Sequence, residues 1–214
     1  ARGGDALKEA AEVFVKLSDE KVAPEVRAAA LYHLGETLER LDRPAEALER
    51  YAVLGKSFAD TDYAMYAALR SAWLLTQSGK PEDRRRALGL YLDLAHKAKD
   101  PKVAEEALFF ASQLSLRDER YEESANLFNT LRSRFPESPR IATAALGAGW
   151  SNYRVGRFKE SSGVLDLIIG DKSHAEREEI LYLKANCLRQ LEQRAEAVKL
   201  YDALLAEFPD GRLS

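Results

Sequence analysis

Residues Arg120–Pro136 read RYEESANLFNTLRSRFP, and Arg157–Gly170, 37 positions later, read RFKESSGVLDLIIG. Each stretch writes a basic residue, an aromatic, a charged residue, Glu, Ser and a small residue, then apolar positions three and four apart. That spacing puts the apolar side chains on one face of a helix. The same helix start written twice at a fixed distance points to an internal repeat, which decides the reading of the whole chain.

The rest of the chain has the composition of helices. Gly and Pro number only 12 and 7 of 214 residues, while Ala, Leu, Glu and Arg, which lose little entropy in a helix, dominate. Leu31, Leu34 and Leu38, and again Ala47, Tyr51 and Leu54, form buried stripes at helical spacing. No stretch reads as a strand. A small residue recurs within one helix of each pair, Gly35, Ala72, Ser112, Gly149 and Ala185, at intervals of 36 to 40 residues. A second small residue follows 12 places on at Ala47, Ser124, Ser161 and Ala197; at Ala87 the interval is 15, because three residues are inserted around KPEDRRR. Small residues at two such places let paired helices approach closely where they cross.

This pattern resembles the tetratricopeptide repeat (TPR) family, whose unit is about 34 residues with small residues at unit positions 8 and 20. An aromatic at position 24 and a proline at position 32 complete the motif. Tyr51, Tyr91, Phe128, Leu165 and Tyr201 take position 24; Leu54, Leu94, Leu131, Ile168 and Leu204 take position 27; Pro136 and Pro209 take position 32. The family's tryptophan at position 4 is replaced by Leu31, Ala68, Leu108, Ala145 and Leu181, and polar Lys184 and Asn152 stand at the normally apolar positions 7 and 11. The resemblance implies an all-α fold, a right-handed α-solenoid of about five helical hairpins. The units fall near 28–61, 65–101, 105–138, 142–174 and 178–211, with one orphan helix near 5–18 before them. Ala10, Phe14 and Leu17 match positions 20, 24 and 27 of a second helix, so the chain is expected to be an excerpt of a longer array, with apolar surface on the orphan helix that favours end-to-end self-association.

A net charge of -3 offers no basic face for nucleic acid. No apolar run reaches the ~18 to 20 residues of a membrane span, and the opening ARGGDALKEA has no signal-peptide core, as a processed or excised start would also lack. One cysteine, Cys187, excludes an internal disulfide. The long spacings and the FP-x-S closure in RFPESP are similar to TPR lipoproteins of the bacterial envelope, which favours a periplasmic or envelope location over the cytoplasm, while the single cysteine fits either and leaves the compartment open.

Chemistry is sparse. His33, His96 and His174 are scattered, and no motif pairs them with metal-ligand spacing. Gly147–Gly149 and GDKS at Gly170–Ser173 lack the context of a phosphate loop and read as packing and turn residues. Arg84–Arg86 follow Pro81, Glu82 and Asp83, a helix start, and read as a solvated face. No cofactor or metal is expected, and no enzyme: the acids Glu36, Glu106 and Glu179 are dispersed over different units rather than paired as acid and base.

The remaining candidate is a stripe. TPR arrays turn positions 2, 5, 9 and 12 of each first helix toward a concave groove. Those positions here give Tyr32, Tyr66, Trp73, Phe109, Gln113, Trp150, Tyr153, Tyr182, Asn186 and Arg189 as the binding set, with Glu36, Leu69 and Leu146 beside them. Exposed large aromatics anchor interfaces. The resemblance therefore implies a non-catalytic scaffold that binds a peptide or helix of another protein. The alternatives are a structural spacer within a larger protein and a helical-toroid enzyme. The carboxylate clamp of chaperone-binding TPR domains uses Lys at position 5 and Asn at position 9; the positions 5 here, Tyr32, Leu69, Phe109, Leu146 and Tyr182, do not supply it.

Overall fold

The computed structural model describes residues 2–19 and 21–213. Among them there are eleven helices and no strand: α1 (Arg2–Asp19), α2 (Pro24–Arg40), α3 (Pro44–Ser57), α4 (Asp62–Gln77), α5 (Pro81–Lys97), α6 (Pro101–Arg117), α7 (Tyr121–Arg134), α8 (Ile141–Arg154), α9 (Phe158–Leu165), α10 (Arg177–Gln190) and α11 (Arg194–Glu207). None is long and apolar enough to cross a membrane. The chain divides into two compact units, Ala1–Ala107 and Leu108–Ser214, and the division falls within α6.

Helix starts follow from local chemistry. Pro24, Pro44 and Pro81 open α2, α3 and α5 at a position where no N–H is needed, and the Thr61 hydroxyl caps α4 by accepting from the Ala64 N–H at 3.2 Å. The turn inside every hairpin holds one residue in the left-handed region at the same place in the repeat: Asp42, Gly79, Glu119, Gly156 and Glu192, with φ between 58° and 77°. In four of these turns the next N–H reaches back to the first helix: Arg43 to the Leu38 carbonyl, Arg120 to Ser115, Arg157 to Asn152 and Gln193 to Leu188, at 2.8–2.9 Å. This is the Schellman arrangement that satisfies terminal carbonyls.

The small residues lie where helices cross. A Cβ added at Gly35 would stand 2.3 Å from Cε1 of Tyr51, one at Gly147 2.4 Å from Cζ of Phe128, and one at Gly149 2.9 Å from Cδ2 of Leu165. Tyr51, Tyr91, Phe128 and Leu165 are buried, whereas Tyr201 is half-buried. The polar residues of the core are committed. Ser124 and Ser161 donate to the carbonyls of Ser112 and Gly149 at 3.0 and 2.7 Å. The Lys184 ammonium donates to the Ser162 carbonyl and hydroxyl and to Asp166. Among the described residues no buried side-chain N or O lacks a partner.

One expectation for the orphan helix is corrected. α1 lies on α2 with Ala11 and Ser18 buried. Phe14 packs partly buried against the core, its ring 5.7 Å from that of His33. The exposed apolar residues of α1 are instead Val13 and Val15, which flank the stripe of Ala11, Phe14 and Ser18 on its two sides.

Candidate functional site

In the first unit, the spacing Tyr63, Tyr66, Arg70, Trp73 sets four large side chains along α4, and α2 supplies Tyr32, His33, Glu36 and Glu39. Tyr32 stands at the centre, with ring centroids 5.7 Å from Tyr63, 6.4 Å from Tyr66, 6.1 Å from Tyr51 and 5.3 Å from His33. These are distances at which tilted and edge-on ring pairs attract. Tyr66 donates to Asp100 at 3.2 Å, which raises the pKa of its phenol.

Beneath the rings runs an ionic network. Arg70 grips Glu39 with Nε at 2.7 Å and Nη2 at 2.9 Å, and the Tyr51 hydroxyl donates to the same carboxylate at 2.5 Å. Glu36 lies within hydrogen-bond reach of His33 Nδ1 at 3.0 Å and makes an ion pair with Arg70 Nη1 at 3.8 Å. Burial, then the Glu36 charge, pushes the Tyr32 pKa up to about 12; burial, then the hydrogen bond to Glu39, raises that of Tyr51. The Glu39 hydrogen bond in turn raises the pKa of Arg70. Every acid here neutralises a neighbour, so the cluster holds shape and presents rings rather than an acid-base pair.

In the second unit, α8 places Trp150 and Tyr153 one turn apart, edge-on with centroids 6.3 Å apart, and Tyr153 meets Phe158 of α9 at 5.3 Å. Trp150, Tyr153 and Tyr182 are half-buried, and Gln113 and Arg189 are exposed. Two members of the sequence-derived set belong to the interior. Phe109 is buried, with Phe110 edge-on at 5.7 Å and the Arg140 guanidinium 5.3 Å over its ring. Asn186 is buried with its amide spent: Nδ2 donates to the Tyr182 carbonyl, and Oδ1 accepts from Tyr201 at 3.1 Å and Arg189 at 3.3 Å. Leu146 is buried as well. Position in the repeat predicted their direction but not the neighbours that cover them.

The sequence reading missed His33, Tyr63, Glu39 and Arg70. Their signal was present, since Tyr63 and Arg70 continue the three-and-four spacing of Tyr66 and Trp73. Cys187 is buried and its thiol pKa is raised by burial; Arg84 holds the Gly79 carbonyl at 2.8 Å and Arg86 pairs with Asp83 at 3.1 Å.

Tetratricopeptide repeat models match residues 29–61, 179–211 and 111–176, together more than half of the chain. The chain belongs to the tetratricopeptide repeat family. Curated protein sequences give no match. Solved structures are similar in fold. YrrB, a TPR protein with an unusual peptide-binding site, is 14% identical over 95% of this chain and 96% of its own, with a TM-score of 0.72. MamA from Desulfovibrio magneticus RS-1 is 12% identical over 86% of this chain and 97% of its own, with a TM-score of 0.65. A TPR protein from Parabacteroides merdae is 19% identical over 97% of this chain and 80% of its own, with a TM-score of 0.58. As a TPR protein, this chain is a protein-interaction scaffold.

Proposed function

We propose that this TPR protein is a non-catalytic scaffold whose first helices hold a peptide or helix of another protein. The observation that carries the reading is the aromatic face of the first unit. Tyr32 and Tyr66 stand in one ring cluster while Trp73, further along α4, leaves 45% of its surface to water. An exposed indole on the helix that also carries Tyr63 and Tyr66 is the composition of an interface anchor. In the second unit Trp150, Tyr153 and Tyr182, with Gln113 and Arg189 on the exposed side, form the corresponding set. The peptide-binding site of YrrB supports the same use of the fold. Two of the three dispersed acids, Glu36 and Glu179, are spent on Arg70 and Arg212, which favours binding over catalysis.

We propose too that α1 supports end-to-end self-association through its exposed Val13; Val13→Glu abolishes concentration-dependent sedimentation if that residue carries it. The scaffold reading is tested by capturing partners from extract with the chain, then titrating a captured partner against wild type, Trp73→Ala and Trp150→Ala. A binding anchor loses on the order of 2 kcal/mol of affinity with a nearly unchanged melt. A large loss of thermal stability with unchanged affinity returns both tryptophans to packing and refutes the reading.

A further inference from the structure

Trp73 borders a cleft of about 630 Å³ within the first unit, closed by the ends of α2 and α4 and the starts of α3 and α5. That volume lies within the ~300–1,000 Å³ of small-ligand sites and admits a few side chains rather than a whole helix. Its apolar wall is Trp73 with Leu48 and Pro44. Its back is the Arg70–Glu39 pair, whose charges are consumed by each other and by the Tyr51 hydroxyl.

The rim is charged differently. Asp83 is paired with Arg86 at 3.1 Å, so its charge is answered from within the protein. Arg40, one residue beyond Glu39 on the last turn of α2, and Lys80, just before α5, both line the cleft, are exposed, and have no ion-pair partner among the described residues. Asp42, in the left-handed turn, is the one unanswered carboxylate among the lining residues. The rim therefore carries two free cations and one free anion beside an exposed indole.

Resting on the scaffold reading above, we propose that this cleft receives an internal segment of a partner protein in which a large apolar residue is flanked by Asp or Glu. The apolar side chain lies on Trp73, Leu48 and Pro44. The flanking carboxylates face Arg40 and Lys80, and Asp42 accepts a backbone N–H of the segment. Exposed charges act over about 10 Å at 0.1 M salt and about 3 Å at 1 M, so binding weakens as salt rises while the apolar contact remains. A segment with Lys in place of the acids meets two like charges and is rejected.

The test uses the whole chain carrying Trp150→Phe, which leaves Trp73 as the reporter tryptophan, and calorimetry on the wild type. The probes are acetyl-Gly-Glu-Phe-Glu-Gly-amide and its variants with Lys for both Glu, or Ala for Phe. The expected result is saturable change in Trp73 emission with the acidic peptide, at least tenfold weaker binding of the Lys and Ala peptides, and at least tenfold loss in Arg40→Glu with Lys80→Glu. Both of those side chains are exposed, and an unchanged thermal melt of the double variant verifies that its fold is intact. Equal binding of the acidic and lysine peptides, or an unaffected charge-reversed variant, overturns the proposal. So does binding seen by calorimetry without a Trp73 response, which places the peptide elsewhere on the scaffold and leaves the broader reading standing. Absence of any binding by the acidic peptide overturns it too, whereas the scaffold reading falls only with its own partner titration.

Discussion

Replacing Gly35 with Ala sets two effects of opposite sign against each other. In a helix interior Ala is favoured over Gly by roughly 0.8–1 kcal/mol, so local propensity alone predicts stabilisation. The crossing predicts the reverse. The new Cβ would stand 2.3, 2.6 and 2.9 Å from three atoms of the Tyr51 ring, and the ring has nowhere to go. Tyr51 is only 2% exposed, and its hydroxyl is held at 2.5 Å by Glu39, which Arg70 grips with two further bonds. Overpacking of a full core costs about 1–3 kcal/mol. Set against the propensity gain, the net is a loss of up to about 2 kcal/mol. Gly89 in α5 is the control: it is exposed and a Cβ there meets nothing within 4 Å, so Gly89→Ala gains about 0.4–1 kcal/mol. Urea unfolding followed by helical circular dichroism compares the two, with midpoint and slope both fitted because repeat arrays depart from two-state behaviour. Trimming the ring in Tyr51→Leu should relieve the clash, giving a coupling of about 0.5–3 kcal/mol in the double-mutant cycle. If Gly35→Ala stabilises as much as Gly89→Ala, the close crossing is not what selects glycine there.

Gly149→Leu forces a side chain into Leu165 and Leu183, whose nearest atoms lie 2.9 and 3.3 Å from a bare Cβ, and should lose about 1–3 kcal/mol in the same assay. Ser161→Ala removes the bond to the Gly149 carbonyl and an acceptor for the Cys187 thiol, for about 0.5–1.5 kcal/mol. Cys187→Ser keeps that contact and should unfold within about 0.5 kcal/mol of wild type. Glu119→Gly places a residue without Cβ at φ 60°; relief of left-handed strain, ~1–2 kcal/mol, exceeds the entropy lost to Gly, so the variant should melt higher. The phenols of Tyr32, Tyr51 and Tyr91 have raised pKa values, chiefly through burial, to about 12 for Tyr32 and Tyr91. Raised folded values mean that their contribution is complete below pH 10 and falls as pH rises further. Phenolate absorbance from these residues should appear together with loss of helix, and its appearance in a fully helical protein refutes the assignment.

The hairpins were legible because two small residues and one ring recur in each, and these mark where helices must touch. Other features needed neighbours to be seen. The apolar run VLDLII after Gly163 reads as continuing α9, yet the helix ends at Leu165 and a series of turns follows. Arg177 takes the Ile169 carbonyl that a longer helix would have satisfied, and grips Glu207 bidentately. Lys184, flagged by its polar character at an apolar position, proves to be the second such support, on Ser162 and Asp166. The left-handed turn residue announces itself only at Gly79 and Gly156, since Asp42, Glu119 and Glu192 adopt the conformation without glycine. In the site, Phe109 and Asn186 were misplaced because a repeat position fixes the direction of a side chain and says nothing of Arg140 or Tyr201 lying over it.

The two units hold their hairpins together by different means, and the difference follows from single positions of the repeat. In two of the second unit's three hairpins the hydroxyl at position 20, replaced by Ala197 in the third, donates to the carbonyl at position 8 of its own hairpin and meets a donor from the next: Ser124 meets Ser151 at 2.9 Å, and Ser161 meets Cys187 at 3.1 Å. In the first unit the corresponding positions are Ala47, Ala87 and Leu74, all buried and apolar. α8 offers Ala144, Ala145, Gly147, Ala148 and Gly149 to its neighbours; Phe128 and Leu165 seat against the two glycines, and a buried hydroxyl displaced from its partner costs a further ~1–3 kcal/mol. Directional bonds thus add to shape in fixing register on α8. In the first unit Tyr51, bonded to Glu39, does the corresponding work with a ring and a single polar tip. That arrangement leaves the first helices α2 and α4 free to carry large aromatics outward, which is where Trp73 stands.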